Sequence, residues 1–407
     1  MAQTAAEAAP TRAATLVPLI IGLCFAVALL EGYDLQAMGV AAPRLVPALD
    51  LTARQVGDVL TASMLGLIVG ALIGGRVADR VGRKPVLLGA VVAFGIFSLA
   101  TVLTRDYPQL LAARAATGLG LGGALPNLIA IAADIAGEKR RAATGGLIFG
   151  GMSLGGAASA LLVLLAPKSL DWRPVFMVGG ALPLVIFPLL AFGLPETRPG
   201  HAAADRPAPA PYARILFGEG RAAATLALWA AFVLTLVVLY LLVNWLPLLV
   251  VAKGLSRAAA PMAAIALNLS GTIGALALGA LVDRFGLRWP MLASYAALVA
   301  SMAALAAASG LAPILVWSGA AGFLVIGTQF VLYGAAPDYY RADARGAGAG
   351  AAVGVGRLGS VIGPSLAGVM ISHGASAGQV MLAMIPVVAA AGAAVLTLTI
   401  VGQRAGG

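Results

Sequence analysis

Twelve long apolar stretches, separated by short polar or charged clusters, run along the chain at approximately residues 15–45, 57–77, 86–104, 109–133, 144–166, 174–194, 223–252, 260–281, 289–309, 313–335, 347–371 and 378–402. A helix needs ~20 mostly apolar residues to cross a hydrocarbon core ~30 Å thick, so the pattern predicts twelve transmembrane helices. Unbroken runs such as 222–252 lack the apolar–polar alternation of a transmembrane β-strand, which excludes a barrel. The first run follows a short polar segment, Met1 to Arg12, and outlasts a signal-peptide core; it is expected to be retained as the first crossing.

The longest polar connection, Pro195 to Arg221, holds Pro195, Pro199, Pro207, Pro209 and Pro211 and parts six stretches from six. This predicts an N-terminal half at 1–194, a cytoplasmic linker at 195–222 and a C-terminal half at 223–407. The halves align at a constant offset of 204 residues. Gly70, Gly75, Asp79, Arg80 and Gly82 map onto Gly274, Gly279, Asp283, Arg284 and Gly286, and Gly118 and Gly123 onto Gly322 and Gly327. Arg141, Gly150 and Gly155 map onto Arg345, Gly354 and Gly359, and Pro43 onto Pro247. Two parallel repeats related by an axis along the membrane normal form a transporter architecture, with a central cavity between halves that rock to give alternating access.

Composition removes the soluble classes. Of 407 residues 61% are hydrophobic and 10% charged, against roughly 25% charged in an ordinary soluble protein, too few to cover a solvated surface. Disorder is excluded by the same figures. The net charge of +10 raises the possibility of a nucleic-acid partner, which requires basic residues clustered on one solvated face. With a cytoplasmic N-terminus, seventeen of the 26 Lys and Arg fall in cytoplasmic segments, seven on the opposite side, and two, Arg114 and Arg357, within helices. That bias places both termini in the cytoplasm of a plasma (inner) membrane, leaves the lipid bilayer as partner and argues against nucleic acid. The single cysteine, Cys24, excludes an intramolecular disulfide and a Cys-based metal site. His201 and His373 lie in the linker and a loop, and no nucleophile–base pair, metal-ligand cluster or cofactor motif is present. An enzyme, a metal and a cofactor are therefore not expected; a monomer is.

Two loops repeat one motif: Gly75-Arg-Val-Ala-Asp79-Arg80-Val-Gly82-Arg83-Lys84 and Gly279-Ala-Leu-Val-Asp283-Arg284-Phe-Gly286-Leu-Arg288. Glycine permits the tight turn, the arginines hold the loop at the cytoplasmic surface, and the aspartate accepts from a helix N-terminus or an arginine. The fourth stretch carries Arg114-Ala-Ala-Thr-Gly118-Leu-Gly120-Leu-Gly122-Gly123-Ala-Leu-Pro126, whose glycines let a neighbouring backbone approach closely.

Glu31 and Asp34 in the first stretch and Arg357 in the eleventh lie near the middle of their apolar spans. A charge at the bilayer centre costs at least ~2.5 kcal/mol on insertion scales, so it faces a cavity and finds a partner. Glu31 and Asp34 are three residues apart, on one helix face. Arg114, about five residues into its stretch, can either snorkel to the external interface or serve function. The repeat counterparts of Glu31, Asp34, Arg114 and Arg357 are Thr235, Val238, Ser318 and Ser153, so the repeat itself does not demand charge there. The plain alternative is an ion pair that only fixes packing. In the functional reading, Asp34, aided by Glu31, takes a proton from one side and releases it on the other, while Arg357 offers a bidentate fork to a substrate carboxylate. Arg114, Tyr33, Gln36, Asn127, Asn244, Trp245, Gln329 and Tyr333 are the further candidates for the substrate cavity.

The paired loops resemble the signature of the major facilitator superfamily, in which the aspartate helps hold the halves together on the cytoplasmic side; Gly75, Asp79, Arg80, Gly82, Arg83, Asp283 and Arg284 are thereby the gating-loop candidates. The segment Glu31-Gly-Tyr-Asp34-Leu-Gln-Ala-Met-Gly-Val-Ala-Ala-Pro43 is similar to the first-helix signature of the aromatic acid:proton symporter family, with Glu31 where an aspartate is usual. Gly120 to Asn127, Asn244-Trp-Leu-Pro and Gly356-Arg357-Leu-Gly359 to Pro364 resemble the same family, and the Glu-Gly-x-Asp-x-Gln form is most similar to its 3-(3-hydroxyphenyl)propionate carriers. The resemblance implies an all-α, twelve-helix major facilitator fold that imports a small aromatic carboxylate, a hydroxyphenylpropionate or hydroxybenzoate-type acid, with protons. A proton-driven drug or metabolite exporter of the same superfamily is the competing reading; the acidic pair and Arg357 favour import of an anion.

Overall fold

The computed structural model describes residues 12–137, 141–166, 171–197, 212–218, 220–341 and 344–405. All regular structure among them is helical: α1 Arg12–Ala48, α2 Ala53–Val81, α3 Arg83–Val102, α4 Tyr107–Ala136, α5 Arg141–Leu165, α6 Arg173–Gly193, α7 Tyr212–Phe217, α8 Ala222–Ala252, α9 Ala259–Phe285, α10 Arg288–Ala307, α11 Leu311–Ala335 with a 3-10 turn at Ala336–Tyr339, α12 Arg345–Ser372, α13 Ala377–Leu382 and α14 Met384–Ala405. Among the described residues twelve segments are long and apolar enough to cross a membrane, α13 and α14 counting as one. Large apolar side chains point outward, Phe192 at 91% exposure, Leu276 at 76% and Val185 at 68%, as lipid contact requires. The chain is a multi-pass membrane protein.

Several helices outrun their predicted spans, among them α2, α4 and α9, which continue past residues 77, 133 and 281 to Val81, Ala136 and Phe285. Hydropathy marks the hydrocarbon depth, whereas the backbone hydrogen-bond ladder continues until something stops it. In α2 and α9 the stop is Gly82 and Gly286, at φ 103° and 76°, a backbone that a side chain would strain. At the other end of α2, Thr52 and Gln55 form a capping box, with Thr52 N–H donating to Gln55 Oε1 at 2.9 Å and Gln55 N–H to Thr52 Oγ1 at 3.2 Å. The expected single stretch at 378–402 is broken at Ala383, because Pro386 has no N–H and its ring crowds the Leu382 carbonyl. Within the expected linker, α7 is docked by the Thr225 hydroxyl donating to the Leu216 carbonyl at 2.7 Å. The rest of that linker, residues 198–211, and the basic positions Lys139, Arg140, Lys168, Arg198 and Arg206 lie outside the described residues.

Glycines set the packing, and they do so twice. A methyl on Gly118 would overlap the Ser63 carbonyl where α4 crosses α2; one on Gly322 would overlap the Leu267 carbonyl where α11 crosses α9. The same duplication places Gly70 on Leu119 and Gly274 on Phe323, and Gly155 on Leu29 and Gly359 on Val233. Each pair is related by the 204-residue offset. Without a hydrophobic force between helices in lipid, close backbone approach at small residues supplies the dispersion energy of association.

The first and last six membrane helices meet through α1 on α8, α2 on α12 and its repeat counterpart α9 on α5. The turns α1–α2 and α12–α13 lie at one end, hereafter the far end; the Gly82 and Gly286 turns, the start of α1 and the end of α14 lie at the other, hereafter the termini end. Backbones touch towards the far end, where a methyl on Gly57 of α2 would stand 3.1 Å from the Gly368 Cα of α12, and Gly39 of α1 packs on the Asn244 backbone of α8.

Candidate functional site

The intramembrane charges differ in character: two are joined in an ion pair and two are not. Asp34 and Arg114 are 0% and 1% exposed, and Arg114 Nη1 donates to Asp34 Oδ1 at 2.7 Å while Nη2 donates to the Asp34 carbonyl at 3.2 Å. The guanidinium also lies 5.3 Å from the Phe176 ring centre, a cation–π contact. Arg114 thus does not snorkel: the side of α4 that carries it faces α1 and α6 rather than the interface. Beside it, the Tyr33 hydroxyl donates to the Val175 carbonyl of α6 at 3.0 Å.

Glu31, one helical turn away, is wholly buried, and neither of its oxygens makes a hydrogen bond. Among the described residues no ion pair closes on it: the Arg357 guanidinium, on α12 of the other half, acts on it electrostatically without contact. Arg357 in turn donates from Nη1 to the Tyr240 hydroxyl of α8 at 2.8 Å. Asp34 and Arg114 therefore close an ion pair within the first half, while Glu31 and Arg357, on different halves, make no ion-pair contact.

Arg357 forms part of the wall of a cavity of about 90 Å³ between the halves. Of the residues singled out from sequence, Gln36, Gln329, Tyr333 and Arg357 line it. Tyr33, Asn127, Asn244 and Trp245 do not: Asn127 donates to Gly123 O at 2.9 Å, Asn244 to Tyr240 O at 2.8 Å and Trp245 to Pro364 O at 3.1 Å. Glu31, Asp34 and Arg114 stand behind the wall rather than in it. Lining residues that sequence reading missed include Tyr240, Ser153, Asn268, Phe149 and Phe330. A signal existed for two of them, since Tyr240 and Ser153 are the repeat counterparts of Gln36 and Arg357; Gly32 and Leu236, and Leu35 and Leu239, line it in the same paired way. Asn268 carried no such signal, its counterpart being Met64.

Two contacts between the halves bound the cavity. On the far side Gln36 of α1 and Asn268 of α9 exchange amide hydrogen bonds. Towards the termini, Phe149 of α5 stacks on Tyr333 of α11, with ring centres 4.8 Å apart and planes 9° from parallel, and meets Phe330 edge-on at 5.5 Å. A cavity of ~150 Å³ holds benzene, so a phenyl-bearing ligand requires this one to widen.

The repeated loops at the termini end are open. Asp79, Arg80, Asp283 and Arg284 are exposed, and among the described residues Asp79 has no ion-pair partner. Arg83 pairs with Asp134 of α4, Arg284 lies 5.2 Å from the Phe285 ring, and Gly75 has open space beside it. No cluster of three or more metal-ligating side chains occurs among the described residues.

Comparison with known proteins matches residues 24–364 to the model of the Major Facilitator Superfamily. The chain is 43% identical to a 3-(3-hydroxy-phenyl)propionate transporter of Escherichia coli K12, over 96% of both chains. It is 34% identical to a gallate transporter of Pseudomonas putida, over 88% of this chain and 86% of the other, and 31% identical to a 4-hydroxybenzoate transporter of Pseudomonas aeruginosa, over 95% and 94%. Among solved structures, a partially occluded inward-open conformation of the Escherichia coli xylose transporter superposes with a TM-score of 0.72 at 16% identity, covering 93% of this chain and 98% of the other. An inward-facing, unoccupied bacterial homologue of the human lysosomal transporter Spinster gives 0.70 at 17%, covering 96% of both.

Proposed function

The chain belongs to the Major Facilitator Superfamily, and on that premise we propose that it imports an aromatic carboxylic acid, a hydroxyphenylpropionate or hydroxybenzoate-type acid, together with protons by alternating access. Its family and relatives are transporters, not enzymes. The observation that carries the reading is Arg357 in the wall of an aromatic-lined cavity at the junction of the halves. A guanidinium is a planar fork for a carboxylate, and the Phe149, Phe330 and Tyr333 rings give an aryl group an apolar and edge-polar surface.

Glu31 and Arg357, not joined in an ion pair, support a way to couple protons. Inside an apolar span a single guanidinium does not balance two carboxylates, so a substrate carboxylate arriving at Arg357 leaves Glu31 needing a proton. Protonation of Glu31 from the aqueous side then accompanies substrate binding, and its release accompanies substrate release. Asp34, held by Arg114 through one oxygen, is the second acid of the relay; its Oδ2 has no partner. The positive-inside rule puts both termini in the cytoplasm of the inner membrane. In that orientation the closed far end faces outside, and the Phe149–Tyr333 stack is the barrier between cargo and cytoplasm.

Uptake of labelled 3-(3-hydroxyphenyl)propionate into vesicles holding the purified protein tests the proposal. An inward proton gradient should drive accumulation, a protonophore should abolish it, and competition by aromatic but not aliphatic acids should follow. Uptake indifferent to the gradient overturns the coupling; resistance to drugs without aromatic acid uptake overturns the direction.

A further inference from the structure

Gln329 of α11 is 2% exposed and lines the cavity; the Tyr333 hydroxyl lies beside its amide, yet neither Oε1 nor Nε2 makes a hydrogen bond of normal geometry. The other amides of the cavity differ. Gln36 and Asn268 exchange hydrogen bonds at 2.9 and 2.8 Å, and Asn268 also donates to the Ala264 carbonyl at 2.9 Å. A primary amide buried without a hydrogen bond of normal geometry costs about 1–3 kcal/mol, and such a group in a native fold requires an explanation.

We infer that Gln329 is the specificity residue of the cavity, pairing with a hydroxyl substituent on the ring of the aromatic acid whose carboxylate Arg357 holds. This rests on the reading of the cavity as an aromatic acid site. A hydroxyl both donates and accepts, as does the amide, so the two satisfy each other; a carboxylate only accepts and would leave Oε1 idle. Placement agrees with the assignment: Gln329 and Tyr333 are four residues apart on the cavity face of α11, so the amide lies one turn from the ring that forms the aromatic barrier. A site built to hydrogen-bond a hydroxyl rejects the analogue without it, because the amide is then left desolvated and unpaired.

The test measures binding to the purified full-length protein with three probes: 3-(3-hydroxyphenyl)propionate, 3-phenylpropionate, and the 3-methoxy analogue, which accepts but does not donate. In the unaltered protein the hydroxyl is expected to improve affinity at least about tenfold over hydrogen, with the methoxy compound between. Gln329→Leu is expected to erase that preference by weakening the hydroxylated acid while leaving 3-phenylpropionate bound as well or better. Gln329→Met serves as the second apolar variant if the first does not reach the membrane. Equal affinities in the unaltered protein, or a hydroxyl preference that survives in the variants, overturns the assignment. Failure of the unaltered protein to bind any of the three acids overturns the aromatic acid reading itself, a result distinct from loss of discrimination. A Tyr333→Phe variant separates the two neighbours: the preference should persist there, and its disappearance in Tyr333→Phe alone would transfer the role to the phenol.

Discussion

Gln36 of α1 and Asn268 of α9 face each other across the two halves of the protein and exchange two hydrogen bonds, Gln36 Nε2 to Asn268 Oδ1 at 2.9 Å and Asn268 Nδ2 to Gln36 Oε1 at 2.8 Å. Both amides are buried, so opening the cavity towards the far end breaks a fully paired couple in a region of low dielectric. The pair ties the two halves together on that side, a clasp under the proposed alternating access.

Removing one half of the clasp leaves the other amide orphaned. Gln36→Leu and Asn268→Leu should each destabilise the closed form by about 1–3 kcal/mol, while the double variant should cost less than the sum of the singles. Thermal unfolding of the four proteins in detergent measures the coupling; additive losses would show that the two amides do not act together.

The two acids of α1 should separate on substitution. Asp34→Asn strips the buried Arg114 guanidinium of its counter-charge and should destabilise by about 3–5 kcal/mol. Replacing Asp34 and Arg114 together with apolar residues should recover much of that loss. Unfolding midpoints decide it.

Glu31→Gln should leave stability within about 1 kcal/mol, since, unlike Asp34, Glu31 has neither an ion-pair contact nor a hydrogen bond to lose. Under the proposed coupling it should abolish accumulation driven by a proton gradient and retain exchange of substrate across vesicles. Gradient-driven accumulation by this variant would remove Glu31 from the proton path.

Arg357→Lys keeps the charge and loses the planar fork. It should lower aromatic acid uptake by at least about tenfold, with Arg357→Ala lower still. Uptake is to be compared at equal amounts of protein in the membrane.

Gly118→Ala and Gly322→Ala occupy equivalent helix crossings, each with its methyl driven into a carbonyl of the facing helix. Both should destabilise, by about 1–3 kcal/mol. Gly75→Ala, with open space beside its backbone, should fall within about 0.5 kcal/mol of the unaltered protein and is the control.

The membrane crossings, the two six-helix repeats and the turns at Gly82 and Gly286 were legible in the chain because each is written locally. An apolar run of sufficient length is a helix in lipid whatever surrounds it, as no other backbone satisfies its own polar groups there. The duplication at 204 residues even marked Tyr240 and Ser153 as partners of Gln36 and Arg357. The break at Ala383 and helix α7 were harder to see, since hydropathy averages over the one residue that lacks a donor and over a short helix in a polar segment.

What the amino-acid sequence determined by itself was the depth of each charge in the membrane: Glu31, Asp34 and Arg357 stand within apolar spans, and the spacing puts the two acids on one side of α1. Only the tertiary structure decided which charges meet. Arg114 is close enough to a helix end to reach the interface, but the rotation of α4 against α1 and α6 turns it inward onto Asp34. Glu31, three residues before Asp34 and about 60° around the helix, is thereby left without an ion pair or a hydrogen bond. Spacing along one helix sets depth and azimuth on that helix alone; pairing depends on the rotation and crossing of two helices, which arises from glycine contacts far away in the chain.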